Sequence, residues 1–167
     1  GNYAVRYWDP SWQRRIIGAN GYVERLIAQG FDGVYLDKID SSIEAIARHR
    51  PTAKDDMRTF VRLIAEKGRA ARPGFIVVPQ NGEELLDDDA YASLIDGVGK
   101  EDLLYGEFTE KALNPEDVVA KRIALLQHAT AKGKTVLAVE YIDDAGRIEA
   151  ARVRLQSLGF VPYFGDR

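Results

Sequence analysis

The feature that most constrains this chain is an alternation. Short β-branched or aromatic runs are separated by longer stretches with helical periodicity. The runs are Tyr3–Tyr7, Gly33–Leu36, Phe75–Pro79, the "IDGVGKEDLLY" segment, "TVLAVEY" and "FVPYF". Between them, Asp9 and Pro10 open a helix as N-cap and first helical residue, and Trp12, Ile16, Val23, Leu26 and Ile27 recur on one face up to Gly30. A second helix runs from about Lys54 to Ala71 with Met57, Phe60, Val61 and Ile64 inward, and a short acidic helix follows Pro79. A third carries Asn114 as cap and Pro115 at its first position, and a last one carries Ile148, Leu155 and Leu158 to Gly159.

About six strands result, joined by connections too long for hairpins, so the strands are expected to be parallel with right-handed crossovers. An α/β fold of this order is either a doubly wound sheet or part of a (β/α)8 barrel. Both place their ligands beyond the carboxyl ends of the strands. No repeat, low-complexity tract or linker interrupts residues 1–167, which read as a single domain.

Composition excludes more than it assigns. The chain is 46% hydrophobic and 29% charged, as ordinary globular domains are, with net charge −3. No basic stripe points to nucleic acid, and no apolar run approaches the length of a membrane span. Cysteine is absent, which removes disulfides, zinc–thiolate sites and thiol nucleophiles. "AKGKT" at 131–135 lacks the earlier glycine of a phosphate-binding loop and lies between helix and strand, the wrong order. His49 and His128 have no ligand-spaced partners, no Gly-x-Ser-x-Gly elbow exists, and neither a metal nor a cofactor is expected.

The strand exits carry the chemistry. They hold Tyr7, Trp8 and Asp9; Asp37 and Asp40; Gln80, Asn81, Glu83 and Glu84; Lys100, Glu101, Asp102 and Tyr105; Glu140, Tyr141, Asp143 and Asp144; and Tyr163 and Asp166. Rings beside carboxylates and amides suit a sugar, with its apolar C–H faces and hydroxyls. Two carboxylates flanking one bond are what glycoside hydrolysis requires. The bland reading is a set of helix caps, which accounts best for Asp9, Asp87 to Asp89, Asp143 and Asp144. Asp37 directly ends an apolar strand, whereas Asp40 is placed to serve the next turn. Glu101 reads either as a catalytic group or as half of a surface ion pair with Lys100. Glu140 is a third candidate.

"YWDPSWQ", "GFDGVYLDKID", "PQNGEELL", "IDGVGKEDLLY" and "VPYFGDR", in that order, resemble glycoside hydrolase family 114, the endo-α-1,4-polygalactosaminidases. The resemblance spans essentially the whole chain. It implies a (β/α)8 barrel, an α-1,4-linked galactosamine-containing polymer as substrate, and export from the cell. It implies Asp37 as nucleophile and Glu101 as general acid/base of a retaining mechanism. It places Gln80, Asn81, Glu140 and Tyr141 at sugar subsites, with Tyr7, Trp8 and Asp40 also expected to meet substrate.

A complete barrel needs ~250 residues, and this chain begins where the family's third strand would stand. A partial barrel is therefore expected, with edges at Tyr3–Tyr7 and Val161–Phe164 that self-associate or accept an N-terminal segment. Two other readings stay open. One is a carbohydrate-binding remnant that holds glycan without cutting it; the other is a doubly wound domain for a phosphorylated ligand.

Overall fold

The computed structural model describes residues 5–166 and divides the chain into two compact units, Gly1–Pro79 and Gln80–Arg167.

The first unit is built around one long helix. Its elements are α1 (Pro10–Ile17), α2 (Tyr22–Ala28), β1 (Gly33–Leu36), α3 (Ile39–Ala47), α4 (Ala53–Ala71) and β2 (Ile76–Pro79). Met57, Phe60, Val61, Ile64, Ala65 and Gly68 repeat at helical spacing on α4 and are all buried. Helices α1, α2 and α3 pack on α4, and Tyr7, Val23, Ile39, Ile43, Phe75 and Val77 complete this core. β1 and β2 pair in parallel from Gly33 with Ile76 to Leu36 with Pro79.

The helix expected from Pro10 to Gly30 is two helices. Gly18 leaves α1 in extended conformation, Asn20 is left-handed at φ 58°, and Gly21 precedes α2. A Cβ on Gly21 would lie 2.7 Å from the Gly18 carbonyl oxygen, so this turn closes only around glycine. Helix α3 falls where only a turn was expected. Asp9 caps α1 as read, accepting from the Ser11 amide at 2.7 Å.

The second unit holds β3 (Gly97–Glu101), β4 (Thr135–Glu140) and β5 (Val161–Phe164), with α5 (Asp89–Leu94), α6 (Glu116–Ala131), α7 (Ala145–Ser157) and a 3-10 turn at Glu83–Leu85. The sheet is parallel in the order β3-β4-β5. Each strand lies beside the next in sequence. Sequential parallel strands with helices between them are the arrangement of part of a (β/α)8 barrel. Helix α6 packs on β3 and β4, and α7 on β5.

Alternation along β4 separates the two faces of this sheet. Val136, Ala138 and Glu140 are buried toward the helices, while Thr135 and Leu137 are exposed. Val161 and Tyr163 on β5 are exposed as well.

Five parallel strands are present among the described residues, where about six were expected. Part of the first expected strand, Tyr3 and Ala4, lies outside the described residues. Val5 and Arg6 join no strand, and Tyr7 sits in a turn.

Candidate active site

In the first unit, β1 delivers Asp37 at its exit. The carboxylate is exposed, and its Oδ1 accepts the Lys38 amide at 2.7 Å. Lys38 is left-handed at φ 64°, which turns the chain abruptly into α3. Asp40 stands in the first turn of α3 and accepts from the Ser41 amide at 2.6 Å. Each carboxylate thus accepts the amide of the residue after it, and α3 begins after Lys38 without a side-chain cap. A cavity of ≈ 300 Å³ opens beside Asp37, walled by Tyr7, Trp12, Leu36, Met57 and Phe60.

Tyr7 and Trp8, expected on the sugar-facing side, have different surroundings. Tyr7 is 1% exposed and its hydroxyl donates to the Ala53 carbonyl at 2.9 Å. Burial, with Asp56 nearby, pushes this phenol up to about 12 against the opposing pull of Arg50. Trp8 is half-buried, with Tyr7 edge-on at 5.2 Å and the Arg50 guanidinium 4.3 Å above its ring. One face of the indole is thus occupied by a cation that Asp56 holds in place.

In the second unit, β3 delivers Glu101. In register it stands beside Val139 of β4, which stands beside Tyr163 of β5, so all three share one face of the sheet. Glu101 is half-buried, and the Tyr141 hydroxyl donates to its Oε1 at 2.5 Å. Asn81, left-handed at φ 56°, uses its Oδ1 to accept the Glu101 amide at 3.0 Å and Lys100 Nζ at 3.2 Å. Gln80 is nearly buried and bridges in parallel to Gly99. Backbone and side chain of Glu101 are therefore both held, by Asn81 and Tyr141 respectively.

Lys100 is not the surface partner of Glu101. It is 5% exposed and points to the opposite side, 3.5 Å from Glu83, which also takes Arg122 Nε at 3.0 Å. Arg122 pairs in turn with Glu107. Alternation along the strand explains the difference: neighbours in sequence cannot share a face.

The loop leaving β3 rests on two side chains. Glu140, at the end of β4, is fully buried and accepts the Leu104 amide at 2.8 Å and the Tyr105 amide at 3.1 Å. Asn114, expected to cap α6, does something else. Its Nδ2 donates to the carbonyls of Asp102 and Leu103, and its Oδ1 accepts the Glu107 amide at 3.1 Å. Pro115 occupies the cap position of α6 instead. Burial pushes the Glu140 carboxyl up to about 7 despite the two amides. Tyr7 and Glu140 thus lie in the interior of their units, with their polar atoms committed to backbone. Sequence reasoning missed Asn114; its signal was a side chain with both donor and acceptor between a loop and a proline.

Among the described residues no three His, Cys, Asp or Glu side chains gather so as to hold a metal ion, and no helix is long and apolar enough to cross a membrane.

Known proteins resemble the chain throughout. It is 37% identical over 171 residues to an uncharacterized protein of Deinococcus radiodurans, covering all of this chain and 52% of the relative. It is 35% identical over 177 residues to the uncharacterized protein MJ1477 of Methanocaldococcus jannaschii, covering 98% of this chain and 49% of the relative. The chain thus spans about half the length of these curated relatives. Among solved structures, the glycoside hydrolase domain of PelA from Pseudomonas aeruginosa matches 96% of this chain and 62% of its own, with a TM-score of 0.73 at 22% identity. That likeness shows the fold. Residues 1–167 match the family description "Glycoside-hydrolase family GH114" from end to end, and the chain belongs to that family.

Proposed function

We propose that this chain is catalytic and cleaves an α-1,4-linked, galactosamine-containing polysaccharide with retention of configuration, acting as a single domain over residues 1–167. The observation that carries the reading is the setting of Glu101, at the exit of β3, in a row with Tyr163 and in hydrogen-bond contact with Tyr141. Family membership and the exposed Asp37 at the exit of β1 support it.

In this reading Glu101 donates its proton to the glycosidic oxygen as the bond to the anomeric carbon breaks. Asp37 attacks that carbon from the opposite side and forms a glycosyl ester. Glu101, now a carboxylate, takes a proton from water, and the water oxygen displaces Asp37. Two inversions return the starting configuration. Tyr141 steadies the carboxyl through both steps, and the open ring face of Tyr163 suits the C–H surface of a sugar. The net charge of −3 favours the ammonium groups of a deacetylated polymer.

The resemblance also supports action outside the cell. Edge strand β5, with Val161 and Tyr163 exposed, supports self-association of the chain. Light scattering tests the latter, since a concentration-independent monomer contradicts it.

The experiment for the activity is release of reducing ends from α-1,4-polygalactosamine by the full chain and by Glu101→Gln. Release by the wild type, lost in the variant, supports the reading. A wild type that binds the polymer without cutting it replaces it with the carbohydrate-binding remnant.

A further inference from the structure

We propose that Glu140 is a positioning residue that pins the loop leaving β3 directly behind Glu101, by taking two of that loop's backbone N–H groups. The relevance to catalysis rests on the role given to Glu101 above; the bracing itself does not.

Three observations converge on it. Glu140 is fully buried at the end of β4, so its carboxylate has no solvent to turn to. Its two oxygens divide the work, Oε1 accepting from Leu104 and Oε2 from Tyr105. The loop also begins where β4 ends, because the Asp102 amide donates to the Val139 carbonyl at 3.0 Å. From Asp102 to Tyr105 the chain thus has three amides fastened by two consecutive residues of β4, Val139 and Glu140. Asn114 secures the other side, through the carbonyls of Asp102, Leu103 and Leu104. Backbone groups of a buried loop need partners, and here side chains supply what a strand ladder would.

A buried acid is a costly way to hold two amides unless the position of the loop matters. The tight left-handed turn at Asp102, φ 53°, follows Glu101 without an intervening residue. Any slack in the loop therefore reaches the Glu101 backbone and the aim of its side chain. Glutamine in place of Glu140 has nearly the same shape but one acceptor oxygen. Its NH2 group would confront whichever amide the lost oxygen had served.

The test uses the full chain and amide hydrogen exchange read residue by residue. In the wild type, the Leu104 and Tyr105 amides are expected to exchange far more slowly than those of Phe108 and Thr109 in the same loop. In Glu140→Gln at least one of the two should exchange about tenfold faster or more, while Val136 and Ala138 of β4 keep their protection. Should the variant not fold, the wild-type pattern alone decides, because Leu104 and Tyr105 amides exchanging as fast as Phe108 and Thr109 would overturn the brace. Kinetics on α-1,4-polygalactosamine supply the second arm. The variant is expected to lose about tenfold or more in kcat with KM within about twofold, because Glu140 touches no substrate. Unchanged kcat beside faster exchange would overturn the positioning role. A wild type with no activity would sink the hydrolase reading, and the exchange pattern would still judge the brace.

Discussion

The phenol of Tyr141 donates to Oε1 of Glu101 at 2.5 Å, across adjacent strands and at their carboxyl ends. Tyr141 is the residue after Glu140, whose side chain turns the other way to hold the loop behind Glu101. Glu140, the last residue of β4, and Tyr141, the residue that follows the strand, thus serve the same neighbour from opposite sides. One steadies its carboxyl and the other steadies the chain that follows it.

Removing only the phenol oxygen is the mildest test of that relationship. Tyr141→Phe is expected to lower kcat about tenfold, the loss for a hydrogen bond to an ionisable group. Because Tyr141 is half-buried and its ring remains, the melting temperature should move by no more than about 2 °C. Steady-state kinetics beside a thermal melt read both.

Asp37 is exposed, and its carboxylate accepts the neighbouring Lys38 amide. Asp37→Asn is therefore expected to leave the melting temperature nearly unchanged while cleavage falls by a factor on the order of 10⁴ or more, as when a nucleophile is removed. Lost activity accompanied by unfolding would make Asp37 structural.

Glu140 makes stability depend on pH in a defined direction. Burial raises its carboxyl above the ordinary value of 4.5 to about 7, opposed by the Leu104 and Tyr105 amides; Asp102 adds to the rise and Lys100 opposes it. An acid raised on folding contributes stability that is complete below pH 4.5 and lost as pH climbs through 7. The shift corresponds to about 3 kcal/mol. Urea denaturation from pH 4.5 to 8 should show the wild type losing stability relative to Glu140→Gln by that order. A constant difference between the two proteins would contradict it.

Gly68 on α4 faces the buried ring of Phe75, and a Cβ there would lie 2.2 Å from Phe75 Cδ1. Both groups are enclosed, so neither can move aside without cost. Gly68→Ala is expected to destabilise the first unit by about 1–3 kcal/mol, in spite of alanine's better helix propensity. The midpoint of chemical denaturation measures it.

The sequence reveals most where one physical rule acts alone. β1, β2 and β4 are apolar runs with nothing competing, and they stand where the alternation puts them. Asp9 caps α1 because proline follows it, and Asp144 caps α7 through the Arg147 amide. Reading failed where two rules compete. Periodicity carried one helix through Gly18 and Gly21, but the turn there needs both glycines. Asn114 before Pro115 has the form of a cap, yet tertiary demand from the loop at 102–107 takes its side chain instead. Glu101 and Glu140 both read as candidate carboxylates at strand ends. The register separates them by face, and only the fold reveals which one is buried.

The central claim is retention, and the anomer of the first product tests it most directly. Proton NMR during early cleavage of α-1,4-polygalactosamine by the full chain resolves the newly formed reducing end before it equilibrates. Asp37 acting as nucleophile predicts that the α-anomer appears first and the β-anomer only later by mutarotation. A β-anomer formed first would mean direct attack by water and a different role for Asp37, and no new reducing end at all would contradict the hydrolase itself.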